Sequence, residues 1–291
     1  MRFGIHLPNS GALTAHADLV AMARHAEDLG FDSVWVYDHI FNPVQLSEAT
    51  LATRAEYYNH ADMPYYDALT TLAVVAGATT RIGLGTRVLL PVLRRPLPLA
   101  KQLGTLAVLA GPGRLTIGVG AGWLIEEFES VDIDPAERFA RLDEHIAVMR
   151  ATWTKGITEH QGKFYSHRSA GFYPVPEEPI PILVGGSGDQ TIRRVARWAD
   201  GWALPNVDPG PDAEATLAGL LERLHRACEV EGRDPADVRL VAGAPLSAEP
   251  AFFELLAKLG VDDVDLLLSD RNELDLSSAE RFMNDMVPRF R

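Results

Sequence analysis

The stretch "AEDLGFDSVWVYDHIF", Ala26–Phe41, joins the end of a helix to a strand through one glycine. Apolar residues spaced three and four apart before Gly30 predict a helix. Gly30 then suits a helix C-cap, where the chain turns left-handed. Val34–Tyr37 predicts a buried β-strand. That strand continues without a turn into Asp38 and His39, a polar pair that must be hydrogen-bonded or wet.

The same alternation of strands and helices runs through the whole chain, and it decides the fold class. Eight segments predict strands: Phe3–Leu7, Ser33–Tyr37, Ile82–Leu90, Arg114–Gly120, Pro181–Gly186, Gly201–Pro205, Val238–Gly243 and Asp263–Leu268. Eight strands with helices between them are the number that closes a (β/α)8 barrel. We therefore predict an α/β protein, a TIM barrel forming a single domain over residues 1–291.

Two segments are too long for ordinary strand–helix connections. They span residues 42–64 and 155–179, and we expect both as insertions at the C-terminal face, where barrel enzymes build substrate pockets. Their aromatic side chains suggest a lid over the barrel mouth, against the alternative of loops packed on themselves. These aromatics are Tyr57, Tyr58, Phe164, Tyr165, Phe172 and Tyr173.

Composition and charge restrict the class of partner. The formal net charge is −13, which disfavours nucleic acid and anionic membranes because both attract basic surfaces. The start of the chain, "MRFGIHLPNSG", has no apolar signal stretch, and no apolar run is long enough to span a bilayer. The single cysteine, Cys228, lies on an apolar helix stripe and suits a core position. We expect a soluble cytoplasmic protein that acts on a small molecule.

The strand ends supply candidates for catalysis. His39 is suited to acid–base chemistry near neutral pH. Asp38 beside it would fix its tautomer, raise its pKa or bind a ligand. The structural alternative is that Asp38 caps the loop and His39 is merely hydrogen-bonded. His6 ends the first strand and should face the same rim. Two histidines and an aspartate also allow a metal, but a metal-binding motif with a third ligand is missing, so we assign no metal site.

A glycine-rich turn supplies the candidate anion site. Ile182–Val184 predicts a strand that runs into Gly185, Gly186, Ser187 and Gly188, followed by a helix. A helix N-terminus offers unpaired N–H groups and a positive dipole end, which suit a phosphate. The alternative is a tight turn whose glycines serve geometry only.

Further glycines follow the third and fourth strands. Gly118, Gly120 and Gly122 lack the spacing of a Rossmann fingerprint, and we interpret them as room for a flat ring system lying across the barrel mouth. Thr86 and Arg87 end the preceding strand, where glycine-rich sequence also suits a bulge.

Several of these segments together resemble the bacterial luciferase-like family of flavin and deazaflavin oxidoreductases. The matching segments are "FGIHLPNSG", "AEDLGFDSVWVYDHIF", "IGLGTRVLLPVLRRPLPLAKQLGTLAVLAGPGRLTIGVGAGWLIEEFE" and "PILVGGSGDQTIRRVARWADGW". They lie in the order found in that family and span most of residues 1 to 205. The size of the chain and "WVYDHIF" resemble the branch that uses the deazaflavin coenzyme F420.

The resemblance implies a (β/α)8 barrel and assigns roles to individual residues. His39, with Asp38, would lie against the deazaflavin ring and serve in proton transfer or cofactor binding. Thr86, Arg87 and Val88 would form the bulge that backs the ring, often with a non-proline cis peptide. The glycine turn at 185–188 would hold the cofactor phosphate, and the region from Gly118 to Trp123 would line the ring. Arg87 departs from the small residue that many relatives have there.

The resemblance also sets the functional alternatives. We expect an F420-dependent oxidoreductase that transfers hydride to or from a small organic substrate. The alternatives are an FMN-dependent monooxygenase supplied by a partner reductase, and a non-catalytic flavin-binding protein. Arg87, Arg94, Arg95 and Lys101 are close enough in sequence to line a basic groove for the oligoglutamate tail of F420. Relatives commonly form dimers, so a homodimer is possible.

Overall fold

The structure is a computed structural model that describes residues 1–15, 17–53, 61–268 and 276–290. Ten strands are described: β1 Arg2–His6, β2 Ser33–Val36, β3 Gly83–Leu89, β4 Leu115–Val119, β5 Ile157–Gln161, β6 Ser166–Gly171, β7 Ile182–Gly185, β8 Gly201–Ala203, β9 Arg239–Pro245 and β10 Asp263–Leu267. Eight of them form a closed parallel barrel in the order β1-β10-β9-β8-β7-β4-β3-β2. This confirms the predicted α/β barrel, and all eight predicted strands are present.

Helices surround the barrel. The α-helices described are α1 Leu19–Leu29, α2 Glu48–Thr53, α3 Ala68–Ala78, α4 Pro96–Ala110, α5 Ile125–Ser130, α6 Arg138–Lys155, α7 Asp189–Arg197, α8 Ala213–Glu231, α9 Pro250–Lys258 and α10 Leu276–Asp285. Short 3-10 turns lie at Ala12–Ala15, Pro91–Leu93, Pro135–Glu137, Pro235–Asp237 and Val287–Arg289. Within the described ranges no helix is long and apolar enough to cross a membrane.

The end of α1 shows how local sequence fixes the barrel. Gly30 caps α1 at φ 85°, as predicted. Glu27, one turn earlier, accepts hydrogen bonds from the backbone N–H groups of Thr80, Arg81 and Ile82. Burial alone would raise the pKa of Glu27, but these donors lower it to about 2. The carboxylate of α1 thereby holds the start of β3.

The barrel interior is built around one tryptophan. Trp35 on β2 is 1% exposed and packs with Leu183 and Val241. A Cβ atom on Gly4 would lie 2.5 Å from the indole nitrogen, and one on Gly85 would overlap the indole ring. Both neighbouring strands therefore need glycine at the level of Trp35. Cys228 is buried on α8, as expected.

The segment at residues 155–179 corrects one prediction. It contains the antiparallel hairpin β5–β6, where a loop was expected. Glu144 of α6 accepts hydrogen bonds from the N–H groups of Phe164 and Tyr165, at 3.0 and 2.8 Å. The Tyr165 ring contacts the His145 ring, with centroids 4.6 Å apart. This segment joins the end of α6 to the start of β7, and Phe164 and Tyr165 pack against α6 instead of forming the expected lid.

The other insertion, residues 42–64, contains α2. Tyr57 and Tyr58 lie outside the described residues, so the structure leaves their place in a lid untested.

Candidate functional site

Asp38 follows β2 and is 2% exposed. Its carboxylate accepts two hydrogen bonds from the guanidinium of Arg94, at 2.7 and 2.8 Å, and one from the N–H of Leu90 at 2.9 Å. Burial alone would lower the pKa of Arg94, but Asp38 and Asp67 raise it. These contacts fit the structural alternative for Asp38, which anchors the end of β2 to the segment after β3.

His39 pairs with a glutamate that sequence reasoning did not identify. Glu127 on α5 is 1% exposed, and its Oε2 lies 2.8 Å from Nδ1 of His39. Its Oε1 accepts a hydrogen bond from the N–H of Ile40 at 2.5 Å. A carboxylate only accepts hydrogen bonds, so the neutral ring of His39 carries its proton on Nδ1 and its lone pair on Nε2. Glu127 therefore takes the role at His39 that was assigned to Asp38.

Two aromatic rings flank His39. The ring of Trp123 meets the imidazole edge-on, with centroids 5.8 Å apart, and the ring of Tyr65 does so at 5.7 Å. Trp123 follows β4, and Tyr65 precedes α3. His39 thus lies at the carboxyl end of β2 between aromatic walls, with a side chain only 12% exposed. This is a position where an imidazole can meet a flat ligand.

The bulge predicted on β3 is present. The peptide bond between Arg87 and Val88 is cis, and the register between β3 and β4 shifts between Thr86 and Leu89. Thr86 donates a hydrogen bond from its hydroxyl to the carbonyl of Gly118 at 2.8 Å.

The glycines around this bulge have a packing role of their own, and their place beside a ring stays a prediction. A Cβ atom on Gly118 would overlap the carbonyl oxygen of Thr86. On Gly120 and Gly185 it would lie 2.7 and 2.6 Å from methyl groups of Val88. Gly122 has φ 84°, and a Cβ there would lie 2.7 Å from the Phe128 ring. These glycines accommodate the chain itself.

Arg87 points into the barrel and is 7% exposed. It donates hydrogen bonds to the carbonyl of Leu204 and the side chain of Asn206, at 2.8 and 2.9 Å. His6, which ends β1, is 4% exposed, and its Nδ1 lies 2.8 Å from Asp265 of β10. Both predicted residues therefore lie inside the barrel near its carboxyl end.

The turn after β7, predicted as an anion site, is exposed and leads directly into α7. Gly186, Ser187 and Gly188 are exposed, and Gly186 has φ 116°. Gly188 is the N-cap of α7, and no side chain caps this helix end. The indole N–H of Trp202 donates to the carbonyl of Gly186 at 2.8 Å and holds the turn in place.

The predicted basic groove is not formed as such. Arg87 is buried in the barrel, and Arg94 binds Asp38 and Asp67. Lys101 donates to the carbonyl of Tyr173. Of the four cations only Arg95 is both exposed and without such a contact in the described ranges. Arg87, Arg94 and Lys101 are close in sequence, but their side chains contact different parts of the protein.

The metal alternative rested on His6, His39 and Asp38. Each contacts a different part of the protein: Asp265, Glu127 and Arg94 respectively. In the part of the chain that the structure describes, no group of three His, Cys, Asp or Glu side chains is placed to hold a metal ion.

A sequence profile described as luciferase-like monooxygenase matches residues 1–259. The chain belongs to the luciferase-like monooxygenase family. The resemblance of the strand ends and glycine turns is thereby confirmed at the level of the family.

Relatives of the chain include proteins with and without a known activity. An uncharacterized protein of Mycobacterium tuberculosis is 32% identical over 261 residues, covering 89% of each chain. An F420-dependent glucose-6-phosphate dehydrogenase of Kineococcus radiotolerans is 34% identical over 225 residues, covering 75% of this chain and 61% of the relative. That of Beutenbergia cavernae is 34% identical over 242 residues, covering 81% and 66%.

Solved structures share the fold. An F420-dependent secondary alcohol dehydrogenase in complex with an F420–acetone adduct superposes with a TM-score of 0.80 at 18% identity, over 100% of this chain and 99% of the other. A monooxygenase from Streptomyces bottropensis superposes with a TM-score of 0.78 at 20% identity, over 100% of both chains. At these identities the likeness concerns the fold alone.

Proposed function

We propose that this protein is an F420-dependent oxidoreductase that transfers hydride between the deazaflavin and a small organic substrate. The observation that carries the proposal is the arrangement at the carboxyl ends of the barrel strands. His39 with its Glu127 partner follows β2, and the uncapped start of α7 follows β7. The surroundings of His39 suit a redox ring, and the start of α7 suits a phosphate. The names of the two dehydrogenase relatives support F420 as the cofactor.

The residues present fit this coenzyme. The N–H groups at the start of α7 and the hydroxyl of Ser187 are donors suited to a phosphate. Trp123 and Tyr65 flank His39 and offer apolar faces to a ring. When bound, a deazaflavin supplies a carbon centre that accepts or donates a hydride. His39 holds or moves a proton at Nε2, and Glu127 fixes its tautomer. Asp38 positions His39 through the anchored loop, and Thr86, Arg87 and Val88 form the wall behind the ring.

Titration of the purified protein with F420 and with FMN, followed by fluorescence, tests the cofactor. Tight F420 binding with weak FMN binding is expected, and the reverse preference would remove the proposal. Ser187→Glu should weaken F420 binding, because an added charge near a phosphate costs about 1 to 4 kcal/mol. Ala215→Glu adds the same charge to the first turn of α8 and is the control. Equal affinities for both variants would place the phosphate elsewhere.

The second candidate is an FMN-dependent monooxygenase, which the description of the matching family favours. Consumption of oxygen by the FMN-loaded, reduced protein in the presence of substrate would distinguish it. A bound cofactor that no substrate candidate reduces would instead favour the non-catalytic flavin-binding alternative. The homodimer, the partner reductase and the cytoplasmic location stay predictions.

A further inference from the structure

A cluster of three ionisable side chains lies inside the barrel near its carboxyl end, where parallel barrels are normally filled with branched apolar residues. They are His6 of β1, Arg87 of β3 and Asp265 of β10, which are 4%, 7% and 0% exposed. The proposed chemistry at His39 uses none of their three charged or imidazole groups, although the backbone of Arg87 belongs to the wall behind the ring. A buried ion pair is weak support for stability, since apolar residues of similar volume often do as well. Their presence therefore calls for a functional explanation.

The three side chains form one connected cluster around Asp265. Its Oδ2 lies 2.8 Å from Nδ1 of His6 and 3.6 Å from Nη1 of Arg87. Arg87 crosses the barrel from β3 to reach it, and Gly243 of β9 leaves the space. A Cβ on Gly243 would lie 2.6 Å from Nη1 of Arg87. Arg87 also reaches exposed Asn206, so the cluster lies just below the mouth.

Each member of the cluster has one polar atom without a partner. In the residues that the structure describes, Nε2 of His6, Oδ1 of Asp265 and Nε of Arg87 are buried and make no hydrogen bond. Buried polar atoms are almost always paired in folded proteins. Three such atoms in a single cluster indicate a site that a ligand group completes.

We propose that this cluster, His6, Arg87 and Asp265, binds the hydroxyl group of an uncharged substrate. Asp265 is an acceptor, so the neutral ring of His6 is protonated on Nδ1 and can accept at Nε2. A hydroxyl group donates to His6 Nε2 or Asp265 Oδ1 and accepts from Arg87 Nε. A carboxylate or phosphate would meet the charge of Asp265, and an ammonium group would meet that of Arg87. The mixed charges thus favour a neutral group that both donates and accepts.

Tyr37 covers the cluster on the side of His6. It is half-buried, and its ring lies over the imidazole with centroids 3.7 Å apart and planes at 31°. The groups that face His6 are therefore Asp265 of β10, Arg87 of β3 through that carboxylate, and Tyr37 at the end of β2. The Tyr37 ring lies over the face of the imidazole, whereas the lone pair of Nε2 lies in the plane of the ring.

Binding of a hydroxyl group to the cluster does not require the cofactor. That the bound molecule is the substrate rests on the proposed function. The test uses three probes with the same ring: cyclohexanol, cyclohexanecarboxylate and cyclohexylamine. The readout is the Cε1–H signal of His6 in a proton–carbon NMR spectrum, assigned by its loss in His6→Gln. Cyclohexanol should move this signal in a saturable way, and the two charged probes should leave it in place.

Variants decide whether the cluster is responsible. Asp265→Asn should weaken cyclohexanol binding roughly tenfold, since one charged hydrogen-bond partner is lost. Asp262→Asn, in the exposed position before β10, is the control and should bind as the parent does. If Asp265→Asn does not fold, ligand-observed NMR on His6→Gln gives the same comparison. Three results would overturn the proposal. The His6 signal could stay unmoved by cyclohexanol up to its solubility limit, or Asp265→Asn could bind cyclohexanol as tightly as the parent does. Cyclohexanecarboxylate could also bind as well as cyclohexanol does.

The same samples separate this inference from the proposed function. Failure of the parent protein to bind F420 would remove the proposed cofactor, while a cyclohexanol shift would still support the hydroxyl site. If the protein binds F420 but cyclohexanol does not move the His6 signal, the hydroxyl site is removed and the proposed cofactor is supported.

Discussion

Replacement of Glu127 by glutamine should reverse the tautomer of His39. Glu127 accepts from the N–H of Ile40 through Oε1 and from Nδ1 of His39 through Oε2. In Glu127→Gln the N–H of Ile40 still requires an oxygen, so the side-chain NH2 group turns towards His39. An NH2 group only donates, and Nδ1 must then accept. The proton of the neutral ring therefore moves to Nε2.

The free energy of unfolding should fall as well. Hydrogen bonds to charged groups contribute about 1.5 to 3 kcal/mol each, and Glu127 makes two of them while buried. We expect Glu127→Ala to lose about 3 to 5 kcal/mol in denaturant unfolding. Glu126 is the matched control, because it lies next on α5 and accepts from Ser47 and Thr50 but is half-buried. Glu126→Ala should lose about 1 kcal/mol, since water replaces its contacts.

Nitrogen-15 NMR of histidine-labelled protein gives the assay for the tautomer, at a pH where the His39 ring is neutral. The parent and Glu126→Ala should show a protonated Nδ1 and an unprotonated Nε2 at His39, and Glu127→Gln should show the reverse. The same tautomer in the parent and Glu127→Gln would refute the assignment of Glu127 as the residue that orients His39.

Three further predictions concern stability and are measured by denaturant unfolding. Gly85→Ala should cost several kcal/mol, roughly the cost of overpacking or more, because its Cβ enters the indole that fills the barrel; Gly219→Ala, an exposed helix position with open space, should instead gain about 0.5 to 1 kcal/mol. Glu27→Gln should cost about 1 kcal/mol at neutral pH after solvent screening. Because folding lowers the pKa of Glu27 from 4.5 to about 2, the difference should be full above pH 4.5 and close as the pH falls towards 2; a difference that does not vary with pH would contradict this. Arg94→Met should cost about 3 kcal/mol by leaving Asp38 buried and unpaired, and adding Asp38→Asn should recover part of the loss, whereas a further loss would show that the buried charge is not its cause.

The barrel was predictable because its strands are short runs rich in apolar residues and the longer helices between them carry apolar stripes. Gly30 and the strand of Trp35 are examples in which local propensity and tertiary structure agree. The hairpin β5–β6 was missed because its strands, "ITEHQ" and "SHRSAG", are mostly exposed and lack an apolar alternation. Their partner is α6, and a contact of that kind leaves no local pattern.

The candidate site was predictable at the strand ends but not in its pairings. His39 and the turn at Gly186 follow strands and His6 ends one, so topology places all three near the carboxyl end of the barrel. Glu127 lies 88 residues from His39, and only the packing of α5 brings it there. The sequence "LIEEFE" does not tell Glu127 from Glu126, because which of the two is buried depends on the orientation of α5. The glycines around Val88 show the converse, since a pattern typical of ligand contact serves the packing of the chain.

Trp35 on β2 and the glycines Gly4 on β1 and Gly85 on β3 are coupled positions, because a change in size at one affects the space at the others. A larger residue at Gly85 fits only if the residue at position 35 is smaller, whereas one at Gly4 would still meet Ser33. A smaller residue at position 35 leaves a hollow beside Leu183 and Val241. Such a hollow would extend the interior of the barrel below its mouth, and an engineered variant could use it to bind a longer ligand.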